Sequence, residues 1–228
     1  MEEQKLIEEF SRLWYSKGQF QMRVGAGEDS VTVQLDAKYC GFLVQKNPLD
    51  LWIYQEILWD CKPDLIIEMG TASGASALFL ANQLDLIGLG GEVMSVDIDN
   101  RLGIVPAHPR ITYLVGNSTD SSIANKIDIR VKQWAACRRP SKPKVMVILD
   151  DDHTTPHVLD ELRMYSCVVT PGQYLIVEDT NVDWPLGFGD GPGKAVHEFL
   201  KTHPDFVADK SREKFLMTWN PGGYLRRR

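Results

Sequence analysis

The sequence lacks the features that mark membrane, secreted and nucleic-acid-binding proteins. Among its 228 residues, no apolar run approaches the roughly 20 residues that a membrane-spanning helix needs. Residues 1–5 are largely charged and contain no apolar signal-peptide core, so we expect a cytoplasmic protein. The net charge of −6 predicts no general affinity for nucleic acid. We interpret the arginines at residues 138–139 and 226–228 as solvated charge or local anion contacts.

Cysteine pairs and glycine-rich phosphate motifs are also missing. The four cysteines form no C-x-x-C pair, so we interpret them as reduced structural thiols and not as zinc ligands. No G-x-G-x-x-G fingerprint is present, which weighs against a dinucleotide-binding oxidoreductase. Gly193-Lys194-Ala195 is not a P-loop, because the upstream glycine and the following Ser or Thr are absent.

From residue 64 onward, apolar segments of strand length alternate with helical segments. The sequence predicts strands at residues 65–68, 92–97, 111–115, 145–149, 173–177 and 214–218, and helices at residues 47–61, 75–84, 119–136, 158–167 and 195–201. Continuous apolar strands separated by helices indicate an α/β fold with a parallel sheet covered on both faces. Ligands of such sheets bind beyond the carboxyl ends of the strands.

The first part of the chain has a different pattern. Residues 4–15 carry apolar side chains at helical spacing, and residues 30–35 alternate like a half-exposed strand. We interpret residues 1–45 as an extension packed on a main domain of residues 46–228. The extension is a candidate segment for homo-oligomer formation.

The strand predicted at residues 65–68 ends in Glu68, and Gly70 and Gly74 follow before the next helix. This turn predicts a close approach of the backbone to a nucleotide-like ligand, and its acid favours a cationic ligand over a pyrophosphate. Asp97 ends the next strand, where a carboxylate can bind both hydroxyls of a ribose. A tight turn without a ligand and a capping role for Asp97 are the alternatives.

Polar residues also follow the later strands. Asn117 and Ser118 could read an adenine edge, although turn chemistry explains them nearly as well. Oxygen donors suit hard cations, so acids at two further strand ends indicate a Mg²⁺-like site, with an exposed acidic turn as the alternative. These acids are Asp150, Asp151 and Asp152 after the fourth strand, and Glu178 and Asp179 after the fifth.

His153 adjoins the first acidic cluster and is a candidate general base, because the pKa of imidazole lies near neutrality. A surface histidine is the alternative. His153 and His157 do not form a zinc pair of the metalloprotease type, since Pro156 interrupts the spacing and no glutamate lies between them. Residues 184–194 are rich in glycine and predict a substrate loop or lid, with a passive connector as the alternative.

Taken together, several phrases of the sequence resemble the cephalosporin hydroxylase / rhamnosyl O-methyltransferase family of class I S-adenosylmethionine (SAM)-dependent methyltransferases. They are Asn47-Pro48-Leu49-Asp50, Tyr54-Gln55-Glu56, Lys62 to Thr71, Leu149-Asp150-Asp151-Asp152-His153 and Pro171 to Asp179. The resemblance covers roughly residues 40–225. It implies a Rossmann-like, doubly wound, mostly parallel seven-stranded sheet with helices on both faces.

The resemblance also implies the ligands and the residues that bind them. It implies SAM bound by Glu68, Gly70, Thr71, Ser73, Gly74, Ser76, Asp97, Asn117, Ser118 and Asp150, and Mg²⁺ bound by Asp150, Asp152, Glu178 and Asp179. His153 and Asp150 would be catalytic. In metal-dependent catechol-type O-methyltransferases, a lysine occupies the place that His153 has here.

The implied reaction is methylation of a hydroxyl on a small-molecule acceptor, a sugar or an antibiotic-like natural product. Hydroxylation does not carry over from the family name, because the sequence shows nothing like an iron facial triad. An NAD(P)-binding Rossmann oxidoreductase and a non-catalytic cofactor-binding module are the alternatives.

Overall fold

The computed structural model describes residues 5–6, 9, 22–24, 31–33, 37–88, 90–100, 104–137, 142–183 and 190–228. Of the helix predicted at residues 4–15, only residues 5–6 and 9 lie within these ranges, and residues 184–189 of the loop predicted at residues 184–194 lie outside them. Two antiparallel pairs precede the main sheet: β1 (Met22–Val24) with β2 (Val31–Val33), and β3 (Lys38–Tyr39) with β4 (Phe42–Leu43). β2 lies within the segment predicted to alternate as a strand.

A seven-stranded sheet forms the centre of the molecule. Its spatial order is β10 (Phe206–Ala208), β11 (Tyr224–Arg227), β9 (Tyr174–Val177), β8 (Val145–Leu149), β5 (Leu65–Met69), β6 (Glu92–Asp97) and β7 (Ile111–Val115). The strands from β5 to β9 pair in parallel, and β11 runs antiparallel to both of its neighbours. The strand order reverses between β5 and β8, which is the switch point where open α/β sheets bind ligands.

Helices cover both faces of the sheet, as the sequence predicts. They are α1 (Pro48–Cys61), α2 (Ala75–Ile87), α3 (Ser121–Cys137), α4 (Thr155–Tyr165) and α5 (Pro192–Leu200). One apolar cluster joins α3, α4 and α5 to one face, and another joins α1 and α2 to the other. Leu65 and Ile67 enter the first cluster and Ile66 the second, because successive strand side chains point to opposite faces. No helix in the described ranges is both long enough and apolar enough to cross a bilayer.

The strands predicted at residues 92–97, 111–115 and 145–149 are confirmed to the residue. The strand predicted at residues 214–218 is wrong. This segment follows a short 3₁₀ helix (Lys210–Glu213), and Leu216 has a φ of 64°, which a strand does not allow. The sheet is instead completed by β10 and β11, two strands that the sequence did not predict. β11 has no continuous apolar run, because it ends in arginines that the sequence analysis interprets as solvated charge.

Candidate active site

A cleft of about 740 Å³ opens at the carboxyl ends of the parallel strands. Its size suits a small-molecule ligand. The loops after β5 to β9 line it, together with Gln45 and Lys46 from the segment before α1. The predicted cofactor-binding residues that line it are Gly70, Thr71, Ser73, Ser76, Asp97, Asn117, Ser118 and Asp150. The strand-end pattern therefore identified residues that lie together in space.

Gly70 makes the turn after β5 sterically possible. Its φ is 94°, and a Cβ at this position would lie 1.9 Å from the carbonyl oxygen of Asp150. The backbone N–H of Asp150 donates to the carbonyl of Met69 at 2.9 Å, which holds the two loops together. Because no side chain fits between them, only glycine lets the first predicted ligand loop pass this close to the first acidic cluster.

Asp97 stabilises the same turn. Its Oδ2 accepts the backbone N–H of Ala72 and its Oδ1 that of Asp99, each at 2.9 Å. Ala72 has a φ of 45°, an uncommon conformation that the Asp97 contact supports. A carboxylate has more than one lone pair on each oxygen, so Asp97 can still accept hydrogen bonds from a ligand in the cleft. Ile98 lies next to it, lines the cleft and is 69% exposed.

Glu68 and Gly74 do not line the cleft. Glu68 is fully buried, and burial raises the pKa of its carboxyl group. Ser95 Oγ donates to Glu68 Oε2 at 2.6 Å and lies 2.7 Å from the hydroxyl of Thr71, so Glu68 reaches the cleft wall through two hydroxyls. Gly74 lies against Pro106, whose Cδ would be 2.8 Å from an added Cβ.

The β3–β4 hairpin is fastened to the glycine turn. The hydroxyl of Ser73 donates to the carbonyl of Leu43, and the amide of Asn82 donates to the hydroxyl of Tyr39 at 3.0 Å. Residues 38–43, which the sequence assigns to the extension, therefore support the turn that shapes the cleft.

Asn117 and Ser118 combine turn chemistry with a place in the cleft wall. Asn117 Oδ1 accepts hydrogen bonds from the backbone N–H and hydroxyl of Thr119, at 2.9 and 2.8 Å. Its amide NH₂ is then the group that it can offer to a ligand. Ser118 Oγ lies 3.0 Å from Nε2 of His157, which also lines the cleft.

Asp150, His153 and Asp179 form a candidate metal centre. Each offers one ligand atom, and these atoms all lie within 4.8 Å of one another. His153 Nε2 is 3.1 Å from Asp179 Oδ2. Burial lowers the pKa of His153, but the hydrogen bond and charge of Asp179 outweigh it and raise this pKa to about 9. The imidazole therefore carries a proton at neutral pH in this arrangement.

The other two predicted metal ligands have different partners. Asp152 Oδ1 accepts the backbone N–H of Thr154 at 2.8 Å, in the turn before α4. Glu178 is 3% exposed and accepts a hydrogen bond from the hydroxyl of Tyr54 at 2.6 Å. Burial raises the pKa of Glu178. A role of Asp152 and Glu178 in binding metal stays a prediction.

Lys46 is a site residue that the sequence did not reveal. Its ammonium nitrogen contacts Asp150 Oδ2 and lies 2.7 Å from Glu178 Oε1, and its side chain is 5% exposed. Burial alone lowers the pKa of a lysine, but here Asp150 and Glu178 raise it above the ordinary value. Lys46 therefore stays charged and offsets the carboxylates of the half-buried Asp150 and the buried Glu178. A lysine beside a predicted helix start gives no local sign of burial.

Asp179 is held in an unusual backbone conformation. Its φ is 53°, in the left-handed region that favours glycine. Its N–H donates to Oδ1 of Asn220 at 3.0 Å, and Asn220 is fully buried. Such strain persists only where surrounding contacts enforce it, and it is frequent at functional sites. Asn220, also absent from the sequence prediction, thus fixes the direction of a candidate ligand.

Comparison with known proteins identifies the family that the sequence motifs resemble. The family model described as Rhamnosyl O-methyltransferase/CmcI matches residues 31–228. Rhamnosyl O-methyltransferase of Mycobacterium tuberculosis is 36% identical over 194 residues, covering 82% of this chain and 76% of its own. The protein of the same name from Mycobacterium leprae is 36% identical over 196 residues, covering 83% and 82%.

Solved structures agree on the fold. A structure of CmcI with Mg and SAM has a TM-score of 0.64 and 18% identity, and the match covers 90% of this chain and 82% of that chain. The apo-structure of CmcI gives a TM-score of 0.63 and 20% identity, covering 89% and 81%. With nearly all of the described domain inside the family match, the chain belongs to the rhamnosyl O-methyltransferase/CmcI family.

Proposed function

We propose that this protein is a SAM-dependent, Mg²⁺-assisted O-methyltransferase that methylates a hydroxyl of a sugar or an antibiotic-like natural product. Family membership supports O-methyl transfer as the reaction class. The names of the curated relatives support a sugar hydroxyl as the acceptor. The observation that carries the proposal is that Asp97, Asn117 and the Asp150–His153–Asp179 group face one cleft.

The cleft wall fits SAM. Asp97 offers carboxylate oxygens suited to the ribose hydroxyls, and Asn117 and Ser118 offer polar groups for the adenine. The acids that line the cleft favour a positively charged sulfur over an anionic ligand. When bound, SAM supplies a methyl group on such a sulfur. The relative solved with SAM supports this assignment.

Asp150 and Asp179 fit a divalent cation, with His153 beside it as the proton acceptor. Two carboxylates offer the hard oxygen donors that Mg²⁺ prefers, and their ligand atoms already lie close together. When bound, the ion supplies Lewis acidity that favours deprotonation of the acceptor hydroxyl. A relative solved with Mg supports the assignment. Asp152 and Glu178 remain proposed as further ligands.

The protein's own side chains position the acceptor and handle its proton. His153 is 40% exposed at the cleft, and Asp179 orients its ring. After it releases its own proton to solvent, it can take the proton of the acceptor hydroxyl. Lys46 keeps Asp150 and Glu178 in place. Methyl transfer depends on in-line alignment of the reacting groups. We therefore assign to the protein mainly the positioning of these groups by its own side chains.

Isothermal calorimetry with SAM tests the cofactor site. Loss of hydrogen bonds to a charged group costs about 1.5–3 kcal/mol, so Asp97→Ala should bind SAM roughly 10- to 100-fold more weakly than the wild type. Asp128→Ala is the control, because Asp128 lies on α3 outside the cleft and pairs with Lys132, and we expect its affinity for SAM to stay close to that of the wild type. Absence of SAM binding by the intact wild type would sink the proposal.

A methyl-transfer assay tests the reaction and the metal. The protein is mixed with SAM and a panel of rhamnosides and hydroxylated natural products, and products are read by mass spectrometry. We expect activity to disappear in EDTA and to return with excess Mg²⁺. Activity unchanged in EDTA excludes an essential exchangeable ion. SAM binding without turnover on any acceptor would favour a non-catalytic module, and quenching of NADH fluorescence would favour an oxidoreductase.

We further propose a cytoplasmic location and a boundary near residue 45 between an N-terminal extension and the methyltransferase domain. The bond from Ser73 to Leu43 supports attachment of the end of that extension to the cofactor turn. Self-association through the extension is part of the same proposal. Sedimentation of the full chain and of a variant lacking residues 1–36 tests it, and identical oligomeric states would contradict it.

A further inference from the structure

A second group of potential metal ligands lies on the cleft wall, beside the candidate metal centre. Asp151, His157 and Glu161 each offer one ligand atom, and these atoms lie within 4.8 Å of one another. His157 Nε2 is 3.3 Å from Asp151 Oδ2 and 3.7 Å from Glu161 Oε1. Ser118 Oγ lies 3.0 Å from the same nitrogen. These four side chains are termed the His157 cluster.

Glu161 is the unusual member of the His157 cluster. Its side chain is fully buried, and neither carboxylate oxygen has a hydrogen-bond partner within the described ranges. A buried carboxylate without donors is costly, and native structures seldom tolerate one. Its carboxylate faces His157, which is one turn earlier on α4.

The charge of the cluster is not balanced by other side chains. Within the described part of the chain, His157 is the ion-pair partner of both Asp151 and Glu161, and no lysine or arginine pairs with either. One imidazolium offsets only one of the two carboxylates. Burial raises the pKa of Glu161, so its ionised form has no counter-charge of its own, and a bound cation would supply one.

The geometry allows a cation to enter. Zinc-type ions lie about 2.0–2.2 Å from nitrogen and oxygen ligands, so donor atoms on one ion are up to about 4.4 Å apart. The present spread of up to 4.8 Å needs only a small adjustment of the side chains. Asp151, His157 and Ser118 line the cleft, which gives an ion a route from solvent.

We propose that the His157 cluster binds a second divalent cation, of the Mn²⁺ or Zn²⁺ type. Imidazole suits transition metals and carboxylates suit harder ions, so the mixed donor set selects a cation between these classes. The cation takes the place of the proton on His157 Nε2 and gives Glu161 the partner that it lacks. This site is separate from the Asp150–His153–Asp179 group and does not rest on the proposed function.

Counting bound Mn²⁺ tests the proposal. The full-length protein is stripped of metal with EDTA, dialysed and titrated with Mn²⁺, and free Mn²⁺ is measured by electron paramagnetic resonance. We expect the wild type to bind one more ion than Glu161→Gln or His157→Gln. Asp160→Asn is the matched control, because Asp160 lies on the same helix, is exposed and pairs with Arg163 outside the cluster. It should bind as many ions as the wild type.

Thermal unfolding gives a second measurement that does not depend on activity. Glu161→Gln keeps the shape of the side chain and removes a buried charge that has no hydrogen-bond donor within the described ranges, so the metal-free variant should unfold at or above the wild-type temperature. Mn²⁺ should raise the unfolding temperature more in the wild type than in this variant. Equal ion counts and equal Mn²⁺-induced shifts in the two proteins would overturn the proposal.

Asp179→Asn separates the two metal sites. If this variant keeps an ion that Glu161→Gln loses, the His157 cluster is supported independently. If the wild type binds only the ion that Asp179→Asn loses, and Glu161→Gln retains it, the second site is refuted while the proposed function stands. If the wild type binds only the ion that Glu161→Gln loses, the second site stands and the proposed Mg²⁺ centre fails.

Discussion

The ammonium nitrogen of Lys46 lies 2.7 Å from Oε1 of Glu178, across a separation of 132 positions in the chain. The same nitrogen contacts Asp150. A residue from the segment before α1 therefore supplies the counter-charge for acids that follow two neighbouring strands, β8 and β9. The charge balance of the candidate active site depends on a part of the chain that is remote in sequence from its other members.

Replacing Lys46 with methionine removes this counter-charge and keeps a long apolar stem. Breaking a buried pair on one side leaves carboxylates without a partner and typically costs about 3–5 kcal/mol. We expect the free energy of unfolding of Lys46→Met to fall by that order at neutral pH, as measured by urea denaturation.

The control for this substitution is Lys132→Met. Lys132 pairs with Asp128 on the surface of α3 and is 74% exposed. Exposed pairs contribute about 0–1 kcal/mol, so we expect little change. Adding Glu178→Gln to Lys46→Met should recover part of the loss. Equal effects of the two lysine substitutions would contradict the assigned role of Lys46.

Gly70→Ala should disrupt the junction of the β5 and β8 loops. The new methyl group would overlap the carbonyl oxygen of Asp150, and the φ of 94° is unfavourable for alanine. Strain and overpacking together should lower the free energy of unfolding by roughly 2–5 kcal/mol. Gly90→Ala, whose Cβ would meet nothing within 4 Å, is the matched control. If Gly70→Ala were as stable as the wild type, the two loops would have to lie farther apart than the 1.9 Å contact implies.

Asn220→Ala should weaken metal binding although Asn220 is not itself a candidate metal ligand. Removing its side-chain oxygen frees the N–H of Asp179, which can then relax from its left-handed conformation. Loss of a group that orients a ligand typically costs 10- to 100-fold in metal affinity. We expect Mn²⁺ affinity at the Asp150–His153–Asp179 group to fall by about that factor, with SAM affinity nearly unchanged. Asn125→Ala, at an exposed position on α3 outside the cleft, should leave both affinities intact; a parallel fall in this control would indicate a general loss of structure.

Asp50 should make stability depend on pH. It is 3% exposed, and burial raises its pKa to about 7, against three hydrogen bonds that lower it. The unfolded value is about 3.9. Because the native state then holds the proton more tightly than the unfolded state, Asp50 contributes most stability below pH ~4 and loses it as the pH rises to about 7.

The variant Asp50→Asn cannot titrate and isolates this effect. We expect the unfolding free energy of the variant, relative to the wild type, to rise by roughly 2–4 kcal/mol between pH 4 and pH 7 and to level off above it. Urea denaturation across this range is the measurement. If the difference in unfolding free energy between the two proteins stayed constant, Asp50 would already be ionised in the native state at low pH.

The central strands could be predicted because they are buried on both faces. Residues 145–149 form an uninterrupted apolar run, and all of them are buried in β8. The apolar run around Phe215 and Leu216 looks similar in sequence, but both side chains are partly exposed in a loop after a 3₁₀ helix. In β11 the first two residues are buried and arginines follow, so no apolar run marks it.

The site could be predicted only where strand ends determine it. Asp97, Asp150 and Asp179 follow parallel strands, whose carboxyl ends meet at one edge of the sheet. Lys46 and Asn220 reach the site through tertiary packing, at separations of 132 and 41 positions from their partners. Nothing in their immediate sequence distinguishes them from ordinary loop residues.

The start of α1 is bonded to a segment near the far end of the sequence. Asn47 donates to the carbonyl of Met217, and the hydroxyl of Tyr224 donates to Asp50 across 174 positions. Contacts of such long range form slowly, because a large loop must close before they can be made. A refolding chain should therefore assemble the β5, β6 and β8 core first and acquire affinity for its ligands only in its slowest folding phase.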